Sequence, residues 1–150
     1  MKIIILNIML LICSFTSYAQ LNIAPPYSLD QLIFVGKNDT TDIYIVKNSQ
    51  SPYSNEKNLR QVIMLFNELV PIYVEEDKIF INSQANLYIV NCQEPKYLLQ
   101  ESYIYDNNFG NGNLIYTAQT DEWQTLEEDS LLSSTKELIC DKALPAQNHK

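Results

Sequence analysis

Side-chain chemistry needs reactive groups held at fixed spacing, and this sequence offers few. Its single histidine, His149, is next to last of the 150 residues, where nothing holds a ring in place for acid–base work. No cysteine and histidine set has the spacing of zinc ligands. No serine sits in a nucleophile elbow, and no histidine is available to activate one. The loop over residues 107–113 contains Gly110 and Gly112, but it lacks the lysine and the following helix of a phosphate-binding loop. Carboxylates gather at Glu75-Glu76-Asp77 and Glu127-Glu128-Asp129. Consecutive acidic runs of this kind form solvated turns, the alternative being a weak divalent-cation site. The sequence therefore predicts no catalytic residue, no metal ligand and no cofactor, and it reads as a non-enzyme.

Cysteine is the chemistry that remains, and its state depends on compartment. Lys2 precedes an apolar run over residues 3–12, broken only by Asn7, and Ser17-Tyr18-Ala19 places small residues ahead of Gln20. This is the pattern of a cleaved secretory signal peptide over residues 1–19. The apolar run is too short to span a bilayer comfortably, so the mature chain is expected to have no transmembrane segment. Cys13 follows the bulky Ile12, not the small residue a lipidation site requires, and no lipid anchor is expected. Cys92 and Cys140 are then the only cysteines left. An exported pair is expected to form one disulfide, which the chain-entropy model values at about 4 kcal/mol.

Charge narrows the partners. The formal net charge is −8, and loss of Lys2 with the signal makes it −9. There is no basic stripe. Nucleic acid, sulfated polymers and anionic membranes are unfavourable partners for such a field. The remaining signal is aromatic. Of the ten tyrosines, Tyr88, Tyr97, Tyr103, Tyr105 and Tyr116 fall on predicted central strands, where rings either pack the sheet or form a contact face. Tyr103 and Tyr105 share a face, opposite Ile104, and Phe109 follows in the glycine loop. Tyr103, Tyr105 and Phe109 are the candidate protein-binding residues.

The elements that must position these groups are mostly strands. Residues 85–106 read as two β-rich runs around the Gln93-Glu94-Pro95 turn, a long hairpin ending at Cys92 on one side. Before it, residues 20–31 form an extended leader containing Pro25-Pro26. Leu32-Ile33-Phe34-Val35 is a strand ended by Gly36. Asn38-Asp39-Thr40 is a turn that also matches the N-glycosylation pattern. Thr41 to Val46 is a strand with Ile43 and Ile45 on one face, Tyr44 and Val46 on the other. Residues 48–58 are a polar loop. Residues 59–69 also fit a helical stripe, but their β-branched and aromatic centre favours a strand that Pro71 stops. Val62, Met64 and Phe66 would share one face, Ile63 and Leu65 the other. Ile72-Tyr73-Val74 and Ile79-Phe80-Ile81 make a short hairpin or a long connection. Residues 114–117 return as a strand, and Asp129 or Ser130 caps a helix over 131–141. Leu131, Leu132, Thr135, Leu138 and Ile139 line its less polar face. Residues 143–150 are a flexible tail.

Taken together, Tyr44, Asn91-Cys92, Tyr97, the loop from Tyr105-Asp106 to Gly112-Asn113, Trp123 and Leu138-Ile139-Cys140 give a recognisable order. The chain resembles the surface-adhesin protein E family of Gram-negative bacteria over about residues 34–141, within a domain drawn at 32–142. The resemblance implies an α+β fold: an antiparallel sheet of about six strands with a C-terminal helix packed on it and linked through Cys92 and Cys140. It also implies a non-enzymatic protein at the cell surface that binds host matrix or plasma proteins such as vitronectin and laminin. Two departures stand out: no convincing lipidation signal, and few basic residues in the loops. The expected function is an exported, adhesin-like binding module of the envelope, in periplasm, at the cell surface or secreted. The alternatives are a periplasmic inhibitor or accessory subunit of an envelope protein, and a small-ligand carrier with a groove between sheet and helix. The sequence does not name the protein partner or the oligomeric state.

Overall fold

A computed structural model describes residues 24–141. The signal peptide over 1–19, Cys13, His149 and the tail over 143–150 lie outside the described residues. Eight strands and one α-helix follow in order: β1 Leu32–Lys37, β2 Thr41–Val46, β3 Ser51–Pro52, β4 Leu59–Val74, β5 Ile79–Asn91, β6 Lys96–Tyr105, β7 Leu114–Gln119, β8 Trp123–Thr125 and α1 Leu131–Cys140. The sheet is antiparallel, with spatial order β1-β2-β4-β5-β6-β7. The two short strands lie off this path, β3 on β4 and β8 on β6. Six main strands, one C-terminal helix and the Cys92–Cys140 bridge are the architecture expected from the sequence.

Alternation decides which residues meet the helix. Ile43 and Ile45 of β2, Val62 and Met64 of β4, and Val90 of β5 form one buried cluster with Ile139 of α1. Phe66, Leu131, Leu132, Leu138 and Cys140 pack around it. Ile139 is 2% exposed, a burial that contributes about 1.5–3 kcal/mol. Thr135 is also buried, and its hydroxyl donates to the Leu131 carbonyl (3.0 Å), so no polar group is stranded. Ser130 caps the helix, its Oγ accepting from the Ser133 N–H (3.1 Å). At Gly36 the strand shifts register, and a Cβ there would lie 2.8 Å from Leu131 Cδ1. The glycine lets the helix approach the sheet edge.

The opposite face has its own core. Leu32, Val46, Leu65, Ala85 and Tyr105 surround Tyr27, with Tyr44, Ile63, Tyr103 and Phe109 partly buried against them. A smaller cluster of Leu59, Ile89 and Leu98 continues this face toward β8. The leader is therefore more than an extended surface segment. After Pro25-Pro26 it inserts Tyr27, 4% exposed, and then makes a 3-10 turn at Leu29–Gln31. The Tyr27 N–H donates to the Phe109 carbonyl (2.9 Å).

β4 also departs from expectation. It does not stop before Pro71 but runs to Val74. Asn67 pairs with Ser83 and Ile72 with Ile81, so residues 68–71 stand opposite Asn82 alone. Pro71 sits in that excursion, where no ladder N–H is required. Past it, Ile72, Tyr73 and Val74 pair with Ile81, Phe80 and Ile79. β2 reaches only Glu68 and β6 only Ser83, so the β4–β5 end is a two-stranded arm beyond the sheet.

Candidate functional site

Directly opposed residues in an antiparallel ladder share a face. The register therefore lays Phe34, Tyr44, Leu65, Ala85, Tyr103 and Thr117 in one row across β1, β2, β4, β5, β6 and β7. This row lies on the face away from α1. Phe34 is 55% exposed and meets the Tyr44 ring edge-on, with centroids 5.5 Å apart. The Phe109 ring also packs on Tyr44, with centroids 6.1 Å apart.

Phe109 gets there through an unusual backbone. Its φ is +59°, a conformation that costs a residue with a Cβ. Three anchors hold it. The Phe109 N–H donates to Asn67 Oδ1 (2.9 Å). The Gly110 N–H donates to Ser83 Oγ (2.9 Å). Ser83 Oγ in turn donates to the Asn107 carbonyl (2.6 Å). Both Asn67 and Ser83 are buried, so these polar groups are matched inside the sheet. Gly110 has φ +71°, and a Cβ there would lie 2.7 Å from Pro25. At the loop base, Asp106 accepts from the Asn113 N–H (2.7 Å) and side-chain amide (2.8 Å), and these bonds hold its carboxyl below the usual range.

The three candidates occupy different depths. Phe109 and Tyr103 border the face. Tyr105 lies beneath it, 6% exposed. Tyr103 donates to Glu101 Oε2 (2.5 Å); that bond, with burial, pushes its hydroxyl up to about 12. Burial raises Tyr105 and Tyr44 as well. Burial and then the neighbouring Tyr105 and Tyr103 raise Tyr27. Every tyrosine that shifts moves upward, and Asp30 and Asp106 move downward, so the shifts carry all of these groups away from neutral pH. The face offers neutral rings for contact. Phe34 and Tyr44 complete it, although composition alone did not place them there. Their alternation was legible, but joining β1 to β2 needed the cross-strand register.

A second apolar surface is the arm. Leu69, Val70, Ile72, Tyr73 and Phe80 are each about half exposed or more, and the Tyr73 and Phe80 rings sit 4.9 Å apart. Clustered exposure of this kind is a mark of contact surfaces. Among the described residues, no group of three or more His, Cys, Asp or Glu side chains is placed to hold a metal ion, and no helix is long and apolar enough to cross a membrane.

Comparison with known proteins decides the family. The sequence profile described as surface-adhesin protein E matches residues 32–141. The chain belongs to that family. No curated protein sequence matches it. Among solved structures, one of Haemophilus influenzae protein E is 21% identical, with a TM-score of 0.55, covering 78% of this chain and 89% of that one. Another crystal form of the same protein is 22% identical, with a TM-score of 0.58 and coverages of 77% and 91%. Protein E from non-typeable Haemophilus influenzae gives 21% identity, a TM-score of 0.56 and coverages of 77% and 79%. At these identities the likeness establishes a shared fold. Membership in the surface-adhesin family makes this an adhesin-like, exported surface protein.

Proposed function

We propose that this protein is a non-enzymatic binding module of the bacterial envelope, and that it holds a host matrix protein through its helix-free aromatic face. Phe34 and Phe109, flanking Tyr44, are the primary contacts, with Tyr103 at the border and Tyr105 as the support beneath. The observation that carries this reading is the row with the loop ring beside it. Phe34, Tyr44 and Tyr103 are set in register on strands, and Phe109 is held against Tyr44 from the adjoining loop by a backbone conformation that disfavours its residue type. Rigid rings supply contact area at low conformational cost, which interface centres use. The acidic net charge argues for apolar contact over sulfated-polymer binding.

The test is binding of the exported, oxidised protein to immobilised vitronectin and laminin. Phe34→Ala, Phe109→Ala and Tyr103→Ala, each confirmed as folded by circular dichroism, are expected to weaken binding by about 1 kcal/mol or more, roughly fivefold. Tyr73→Ser and Phe80→Ser on the arm serve as the comparison. Loss of binding in the arm variants with full binding in the face variants defeats the proposal. So does affinity that collapses with added salt while the face variants bind normally. Capture of an envelope protein instead of a matrix protein would favour an accessory-subunit role for the same face.

A further inference from the structure

The sole tryptophan belongs to neither the aromatic face nor the arm. Trp123 is 44% exposed on the edge strand β8. Register places it on the helix-free side, opposite Leu98. The adjoining row is Leu59, Asn91, Lys96 and Thr125. Together with Glu56 and Glu94, these residues line a groove of about 550 Å³, within the usual size of small-ligand sites. It lies about 20 Å along β5 from the aromatic face, the reach of the residues from Ala85 to Asn91 in extended chain.

The groove is polar where the aromatic face and the arm are apolar, and one wall is fixed in place. Asn91 Oδ1 accepts from the Gln93 N–H (2.9 Å) and the Glu94 N–H (3.0 Å). That holds the amide oxygen and leaves the Asn91 NH₂ with no partner among the described residues. Glu94 pairs with Lys96 at 2.9 Å. Lys136 of α1 donates to the Glu94 carbonyl (2.9 Å), and the neighbouring Cys92 is bridged to α1. The turn is thus tied to the helix at two points. The Glu56 carboxylate, the Thr125 hydroxyl and the Trp123 indole N–H likewise have no hydrogen-bond partner within the described residues.

We infer that this groove binds a short uncharged saccharide. An exposed indole plane stacks on the C–H face of a sugar ring. Planar amide and carboxylate groups with a hydroxyl at its rim match a ring of hydroxyls, each both donor and acceptor. Charge selects among sugars. Glu94 and Lys96 neutralise each other, so Glu56 leaves the site net negative and disfavours sialylated or sulfated rings. The fixed turn lowers the ordering cost of binding.

The sole tryptophan supplies the readout. The oxidised protein is titrated with tri-N-acetylchitotriose, maltotriose and cellotriose, following indole emission and amide NMR shifts, with 3′-sialyllactose for comparison. At least one neutral trisaccharide is expected to give a saturable emission change, with amide shifts at Asn91, Thr125 and Trp123 and weaker response to sialyllactose. By NMR, Trp123→Ala and Thr125→Ala, each confirmed as folded by its amide spectrum, should weaken binding about tenfold, and Phe109→Ala should leave it intact. No saturable change with any of the three neutral sugars at about 10 mM, a millimolar affinity being near the floor of specific binding, overturns the inference. So does equal binding by Trp123→Ala, or preference for sialyllactose. Phe109→Ala isolates this site from the aromatic face, so each reading can fail without the other.

Discussion

Replacing Tyr27 by alanine tests whether the leader is part of the domain. The ring is 4% exposed and packs with Leu32, Val46, Leu65, Ala85 and Tyr105. An aromatic side chain buries on the order of 150–250 Å². At about 25 cal/mol per Å² that corresponds to roughly 4–6 kcal/mol as an upper figure. The phenol oxygen is not apolar surface, and large-to-small aromatic substitutions cost about 3–5 kcal/mol. Tyr27→Ala is therefore expected to lose about 3–4 kcal/mol, a large share of the roughly 5–15 kcal/mol available to a domain. Tyr27→Phe keeps the packing and should lose no more than about 1.5 kcal/mol. Leu29→Ala is the control, since Leu29 is 65% exposed and surface changes stay within about 0.5 kcal/mol. Urea unfolding of the oxidised protein, followed by circular dichroism with m-values compared, measures all three. A Tyr27→Ala loss below about 1 kcal/mol, or full stability in a chain starting at Leu32, would show that the leader only lies over a finished core.

Cys140→Ser should cost about 2–5 kcal/mol and raise amide exchange along α1 first, because the bridge ties the last helical residue to the end of β5; exchange rising uniformly over the sheet contradicts this. Gly110→Ala should destabilise the oxidised protein by more than about 1 kcal/mol in the same urea assay, since the residue sits at φ +71° with Pro25 2.7 Å from an added Cβ. Stability should also fall at alkaline pH. Folded Tyr103 holds its proton up to about 12, whereas unfolded tyrosines release theirs near 10. Its contribution is complete below about 10 and is lost as pH rises through 12. Tyr103→Phe should flatten that part of the melting-temperature profile, and an unchanged slope refutes the assignment.

Sequence patterning carried most of the sheet because the pattern is local. β2 was legible residue for residue, and the two sides of β4 separate into the two cores as alternation required. The capped helix and its bridge to Cys92 followed from residue type and compartment. The misses share a cause: they depend on distant partners. Pro71 looked like a stop because nothing local reveals that four residues bulge opposite Asn82. Tyr27 sits alone between prolines and a polar turn, with no period to mark it, and its partner Phe109 is far along the chain. β3 and β8 are short strands that exist only by pairing with β4 and β6. Of the candidate residues, Tyr103 and Phe109 were named from residue type and loop position alone. The depth of Tyr105 and the addition of Phe34 and Tyr44 required the register.

The bridge between Cys140 and Cys92 also sets how the domain carries load. Without it, a pull on the chain beyond Asp141 would peel α1 from the sheet one turn at a time, breaking weak contacts in series. With it, the force bypasses the helix and enters covalently at the end of β5. That strand is hydrogen-bonded on both sides along most of its length, to β4 and to β6. Tension along β5 shears many backbone hydrogen bonds at once, the stiff direction of a sheet. The bridge thus turns a fold that would unzip from its last element into one that resists traction as a unit.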